Sequence, residues 1–206
     1  MAVGLAVTAA VGFLFSQNAQ LRQIVYASRG LYLVIALGAF GIAWFVQSQA
    51  GRLSVGVSTA LFLLYSAIIG ALTSGIFLIY PVSTLTAAFV MTAGLFAVLS
   101  VYGFVTKRDL TGIGTIAVML VFGFIIASVV NIFLASNFVS WIITYGILVL
   151  FIAITAYETQ RLKRIAEQFR DSPEMAARYA IVGSLVLYIS FINLFLSILR
   201  IFGDRR

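Results

Sequence analysis

Apolar residues fill this chain in blocks of sixteen to twenty-five, and polar residues collect in the short gaps between them. Blocks of that length predict helices that cross a bilayer, because a hydrocarbon core of about 30 Å needs about 20 apolar residues. Seven spans are predicted, at residues 1–16, 31–47, 55–79, 82–105, 111–134, 139–160 and 180–202. Tyr80-Pro81 breaks the third from the fourth, Thr106-Lys107-Arg108-Asp109 the fourth from the fifth, and Asn137 sits between the fifth and the sixth. The longest gap, 161–179, carries Arg161, Lys163, Arg164, Arg170 and Arg178 beside Glu167, Asp171 and Glu174. The first block begins at Met1 without the basic leader of a signal peptide. At 1.5 Å per residue it reaches only about 24 Å, so it is either a short span or one preceded by a polar tail.

The polar face of single helices adds detail. On the third span Gly56, Ala60, Ala67, Gly70, Ala71 and Ser74 fall within about 100° of one another, which predicts a seam where another backbone approaches closely. A sliding gate is the functional counterpart. On the seventh span Gly183, Ser190, Asn193, Ser197 and Arg200 share one face, and the other faces are Leu, Ile and Phe. A polar stripe that runs most of the depth of a span must face protein or water. It is either a set of interhelical hydrogen bonds, each worth about 0.6 kcal/mol, or the lining of a pathway. Arg200 lies near the outer interface, where a long side chain snorkels. Asn131 on the fifth span and Tyr145 on the sixth are polar groups available to such a network, mostly in a structural role.

Composition settles the class. The chain has 206 residues, 63% of them hydrophobic and 9% charged, against about 25% charged in soluble domains. It is an all-α integral membrane protein, and lipid is its solvent. With two prolines and no Ser/Pro/Gly-rich stretch it reads as a single transmembrane domain over 1–206.

The chain has no Cys and no His. Disulfides, thiolate nucleophiles, haem imidazoles, the usual zinc sites and a Ser/His/Asp triad are therefore excluded. Six acidic residues are too few for a carboxylate-rich metal cage. No aspartate lies inside a span, so aspartyl intramembrane proteolysis has no pair to use, and a rhomboid-like protease lacks its His. The expectation is a non-enzyme without a resident cofactor. No repeat with paired broken helices marks it as a secondary transporter.

Charge sets the orientation. The gaps two–three, four–five and six–seven hold eight Lys and Arg residues, and the opposite side holds four, Arg22, Arg29, Arg205 and Arg206. The bias predicts a cytoplasmic N-terminus and an external C-terminus. The net charge of +7 is thus mainly a topology signal and an attraction to anionic lipid. No nucleic-acid partner is expected, because the aromatics lie inside the spans.

Glu158 is the last carboxylate before the basic run in ITAYETQRLKRI, at the cytoplasmic end of the sixth span. Thr155 and Arg161 share its face. It is either a wet interface charge paired with Arg161, or a titratable group turned into the bundle. Burial would favour its neutral form and Arg161 its charged form.

Three stretches, YGFVTKRDLTGIG (102–114), TAYETQRLKRI (155–165) and LYISFINLFLSILRIFG (187–203), resemble the bacterial branch of the Bax-inhibitor family of transmembrane proteins. LLYSAIIGALTSGIFLIY of the third span fits as well. The likeness runs from about the second span to the end. It implies a seven-helix bundle in a bacterial inner membrane, with the last helix enclosed by the other six. It also implies a pH-sensitive calcium leak whose sensor is a pair of aspartates sharing a proton, one near the end of helix six and one within helix seven. Here those positions hold Glu158 and Ser190. Ser190 cannot ionise, so the like-charge effect of a dyad is lost, although its hydroxyl can donate to Glu158. Glu158 with Asn193 and backbone carbonyls would make a weak calcium site by ligand count.

Glu158 and Ser190 are therefore the candidate sensor and gate, and Arg161, Asn131, Asn193 and Ser197 the candidate polar network. The expected function is a calcium or cation leak with an altered sensor. The alternative is a non-conducting protein that binds and modulates other membrane proteins in stress or quality control. The small-residue seams and the basic 161–178 segment would suit it.

Overall fold

The computed structural model describes residues 1–203, apart from the side chain of Arg29. Arg205 and Arg206, counted above on the outer side, lie outside the described residues. Within these bounds the chain forms nine helices: α1 Ala2–Gln17, α2 Ala19–Tyr26, α3 Arg29–Ser48, α4 Val55–Thr73, α5 Ile76–Ile79, α6 Val82–Val105, α7 Thr111–Leu134, α8 Asn137–Gln168 and α9 Pro173–Phe202. Six apolar stretches are long enough to cross a membrane, with α4 and α5 counted as one. The pair α1 and α2, bent by 105°, makes a seventh if taken together. The protein is a helical bundle that spans the membrane and contacts lipid along its sides. Its last helix is the most deeply buried span, with 50% of its most apolar window hidden against 6% for α7.

The ends of the helices follow local chemistry. Asn18 stops α1 in an extended conformation, and its Oδ1 accepts from Gln20 N at 2.9 Å and Leu21 N at 3.3 Å, starting α2. Ser54 caps α4 in the same way. The third span is interrupted at Ser74–Gly75, between α4 and α5. Pro81 precedes α6, as the Tyr80-Pro81 break predicts.

The long polar gap at 161–179 is corrected. α8 runs on through it to Gln168, and α9 starts at Pro173, so the connection is residues 169–172 alone. Residues 161–168, RLKRIAEQ, are nearly all strong helix formers, and proline is well placed at a first helical position. Phe169 stacks on Tyr179 across this turn, with ring centroids 4.9 Å apart.

The chain forms two compact units. The first comprises Met1–Val82 and Gln168–Tyr188. In it α1 packs on α4 through Gly4, Thr8, Gly12 and Ser16, a buried small residue at every fourth position. A Cβ at Gly70 would lie 2.6 Å from the Thr8 carbonyl oxygen, so only glycine allows this approach. The Thr8 hydroxyl lies 2.5 Å from the Tyr188 hydroxyl and 2.9 Å from the Ser66 carbonyl, to which it donates. The Tyr188 ring meets Phe62 and Tyr65 edge-on. The predicted seam of α4 is therefore narrower than expected. Gly70 and Ser74 are buried, but Gly56 and Ala60 are exposed and a Cβ at Gly56 would touch nothing. The small residues of α1 supply the room, so α4 can present Phe62 and Tyr65 on the same interface. Elsewhere in this unit Arg178 donates to the Gly51 carbonyl at 2.9 Å and to Glu174 at 2.7 Å, tying α9 to the turn before α4.

The second unit comprises Ser83–Glu167 and residues 189–203. Its core joins Ala117 of α7, Leu150, Phe151 and Ile154 of α8, and Leu194 of α9. Phe191 of α9 packs against Phe89 and Phe96 of α6, at 5.4 and 5.6 Å between centroids. This half of α9 is thus held by α6, α7 and α8.

Candidate functional site

Two glycines let neighbouring helices close on α8 just before Glu158. A Cβ at Gly103 of α6 would overlap the carbonyl oxygen of Ala156, and one at Gly114 of α7 would overlap the ring of Tyr157. Neighbouring helices therefore pack closely on α8 at the two residues before Glu158. The residue is 5% exposed, although it lies in the last third of a span. Nη1 of Arg161 donates to both carboxylate oxygens, at 3.3 and 3.2 Å. The Arg161 side chain is 51% exposed, so one member of the pair is buried and the other reaches out. The wet interface charge and the inward-turned carboxylate were posed as alternatives, and the geometry combines them. Thr155 is fully buried on the same face, its hydroxyl donating to the Phe151 carbonyl at 2.6 Å.

Ser190 on α9 is also fully buried, and its hydroxyl has no hydrogen-bond partner among the described residues. The bond expected from Ser190 to Glu158 is therefore not made, and both oxygens of Glu158 are engaged by Arg161. Leu194, one turn further along α9, shares a cluster with Ile154, one turn before Glu158 on α8.

The rest of the expected network divides. Asn193 is half-buried and donates to the Ile189 carbonyl of its own helix at 2.8 Å. Ser197 is buried. Asn131 does not join Glu158. It caps the turn between α7 and α8, accepting from Ser136 N at 3.1 Å and donating to the Ser136 carbonyl at 3.2 Å and the Ser140 hydroxyl at 3.3 Å. Ser140 is eighteen residues from Glu158 on one helix, about 27 Å along its axis. Arg200 reaches this end of the unit and donates to Ser140 at 2.6 Å. Ala135, in the turn itself, takes a left-handed conformation with φ 49°, and its N–H donates to the Asn131 carbonyl at 2.8 Å. Tyr145 stays outside any network, half-exposed and stacked on Trp141.

Sequence reasoning missed Gln160. Its buried carboxamide clamps the loop between α6 and α7: Oε1 accepts from Leu110 N at 3.0 Å, and Nε2 donates to the Arg108 carbonyl at 2.8 Å. Arg164 completes the clamp, donating to Gln160 at 3.0 Å and to Asp109 at 2.8 Å. Hydrogen bonds from Thr111 and Arg164 hold the Asp109 carboxyl down at about 2. The available signal was an amide within the polar run Glu158–Arg161 that closes the apolar part of a span, level with the loop that it holds.

No three carboxylates converge on a metal-sized space among the described residues. Chemically, the region offers one buried carboxylate, paired with an exposed guanidinium.

Comparison with known proteins places the chain in a family. The family profile described as "Inhibitor of apoptosis-promoting Bax1" matches residues 1–206. The chain is 40% identical to inner membrane protein YbhL of Escherichia coli (strain K12), over all of this chain and 88% of that protein. It is 38% identical to a protein of Deinococcus radiodurans and 37% identical to one of Borreliella burgdorferi, in each case over all of this chain and 87% and 89% of the relative. A match over the full length, with the 102–114, 155–165 and 187–203 stretches inside it, shows that this chain belongs to the Bax-inhibitor family of membrane proteins.

Proposed function

We propose that the protein is a calcium leak pathway of a bacterial inner membrane, with a proton-sensitive latch at Glu158 and a partner position at Ser190. The observation that carries this reading is a carboxylate 5% exposed within a membrane span. Placing charge at such depth costs several kcal/mol unless it is paired, and intramembrane ionisable groups are functional sites by default. Arg161 supplies the pair from the exposed side. The partnerless hydroxyl of Ser190 supports a polar passage beside the cluster of Leu194 and Ile154. Ser197 and Asn193 continue the polar face of α9. Calcium would meet one carboxylate, so binding would be weak and passage easy. The charge bias supports an inward-facing 169–172 turn and an outward C-terminus. A cysteine at Ser172 in this cysteine-free chain should resist an impermeant thiol reagent in whole cells, and ready labelling would reverse that orientation.

The test is calcium uptake by dye-loaded liposomes between about pH 5 and pH 8. The parent should conduct with a shallow, single-step pH dependence. Ser190→Asp supplies a second carboxylate, and two such groups titrate as a coupled pair, so the dependence should steepen. Glu158→Gln should flatten it in both backgrounds. Uptake no faster than in protein-free liposomes, for the parent and for Ser190→Asp at every pH, would sink the leak. It would turn attention to a non-conducting role with other membrane proteins.

A further inference from the structure

We propose that a groove in the first unit, between α2 and the break that separates α4 from α5, binds the head group of an anionic phospholipid with Arg22 as the phosphate ligand. The bend at Asn18 turns α2 by 105° from α1. α2 is amphipathic and low in overall hydrophobicity, the character of a helix that lies along the membrane surface. Tyr26 fixes it there. Its hydroxyl donates to the Leu72 carbonyl at 2.9 Å and accepts from Gly75 N at 3.2 Å, using the backbone groups that the break leaves open. The result is a preformed groove of about 730 Å³.

Its lining is divided as a phospholipid is. Arg22 and Gln23 supply polar contacts, the Tyr26 ring forms one wall, and Leu78 and Ile79 supply an apolar floor. Those two side chains are about half exposed and lie in a membrane-spanning stretch, so the floor continues into the lipid phase. Arg22 donates to the Ser16 carbonyl, which fixes the guanidinium while leaving further N–H donors. It makes no ion pair among the described residues, and no Asp or Glu occurs in the chain before Asp109. A half-buried cation without a carboxylate, beside an apolar floor at the membrane surface, matches a phosphodiester that carries acyl chains. A free phosphate would leave the floor unused. This site is independent of calcium passage.

Native mass spectrometry of the full chain released from detergent tests the proposal, with phosphatidylglycerol, phosphatidylcholine of the same acyl chains and inorganic phosphate as probes. One phosphatidylglycerol per chain should be retained, at least about tenfold more tightly than phosphatidylcholine, and excess inorganic phosphate should not displace it. Arg22→Gln should weaken retention about tenfold or more, the range of a charged hydrogen bond. Leu78→Trp fills the groove without touching the charge and should do the same. Arg170→Gln, in the turn between α8 and α9, should match the parent. If Arg22→Gln does not fold, Leu78→Trp decides alone. Equal retention of both lipids, displacement by inorganic phosphate, parent-like retention by Leu78→Trp or by folded Arg22→Gln, or equal loss in Arg170→Gln would each overturn it.

Discussion

Replacing Gln160 by Leu keeps the volume and removes the clamp on the α6–α7 loop. Leu110 is buried, so its N–H would lose its partner with no water to replace it. An unsatisfied buried donor costs about 1–3 kcal/mol. The carbonyl of Arg108, an exposed residue, would turn to water at little cost. Arg164 would lose one of its three acceptors and keep Asp109 and Thr111. The expected loss is about 2–3 kcal/mol in total. By the scaling of soluble domains of this length, that lowers the unfolding midpoint by about 4–12 °C. Gln160→Glu retains the acceptor for Leu110 N and Arg164 but loses the donor to the loop carbonyls, so it should cost about 1 kcal/mol. Thermal unfolding of the three proteins in one detergent, followed by helical circular dichroism, gives the order parent, Glu, Leu. A Leu variant that melts within about 1 °C of the parent would refute the clamp as a stabilising element. So would a Glu variant no better than Leu.

Two further outcomes follow from other contacts. Gly103→Val drives a branched side chain into the Ala156 backbone and should cost about 1–3 kcal/mol or more, whereas Gly94→Ala, whose Cβ meets nothing, should be neutral or gain up to about 1 kcal/mol in the same melting assay. Equal stability of the two would mean that α6 and α8 can separate freely. Asp109 has a folded-state pKa of about 2 against an ordinary 3.8. Its carboxylate therefore stabilises the fold fully above about pH 4 and ceases to do so as pH falls through about 2. The difference in melting midpoint between the parent and Asp109→Asn should follow that window, and a difference that grows on acidification would contradict it.

The spans were legible because lipid imposes one demand, a run of apolar residues, and each helix meets it locally. What escaped the sequence depended on partners or on competition with that signal. Residues 161–168 were read as a gap because they are charged, yet charge at a membrane surface does not end a helix, and the next strong stop is Pro173. The glycine face of α4 was read from α4 alone. The room at that interface comes from Gly4, Thr8 and Gly12 of α1 with Gly70 alone on α4, so Gly56 and Ala60 are free to face outward. Glu158 and Arg161 were paired from their spacing, and the pair is present. The burial of Glu158 was not readable, because it depends on how distant helices pack on α8, with Ile154 and Phe151 on its side of the helix meeting Leu194 of α9. Asn131 was polar in an apolar span, and only the fold reveals that it serves the turn beyond its own helix.

That turn bears on how the protein is made. Ala135 adopts its left-handed geometry with Asn131 and Ser140 on either side, so everything that closes the α7–α8 connection lies within ten consecutive residues. Exposed backbone polar groups are costly in hydrocarbon, and here neighbouring side chains cover them at once. The two spans can therefore leave the translocation channel as a paired hairpin, before α9 follows them into the membrane. A chain truncated after Gln168 and released from the ribosome should place its end on the same side of the membrane as the 169–172 turn, and an end on the opposite side would show that α8 needs α9 to integrate.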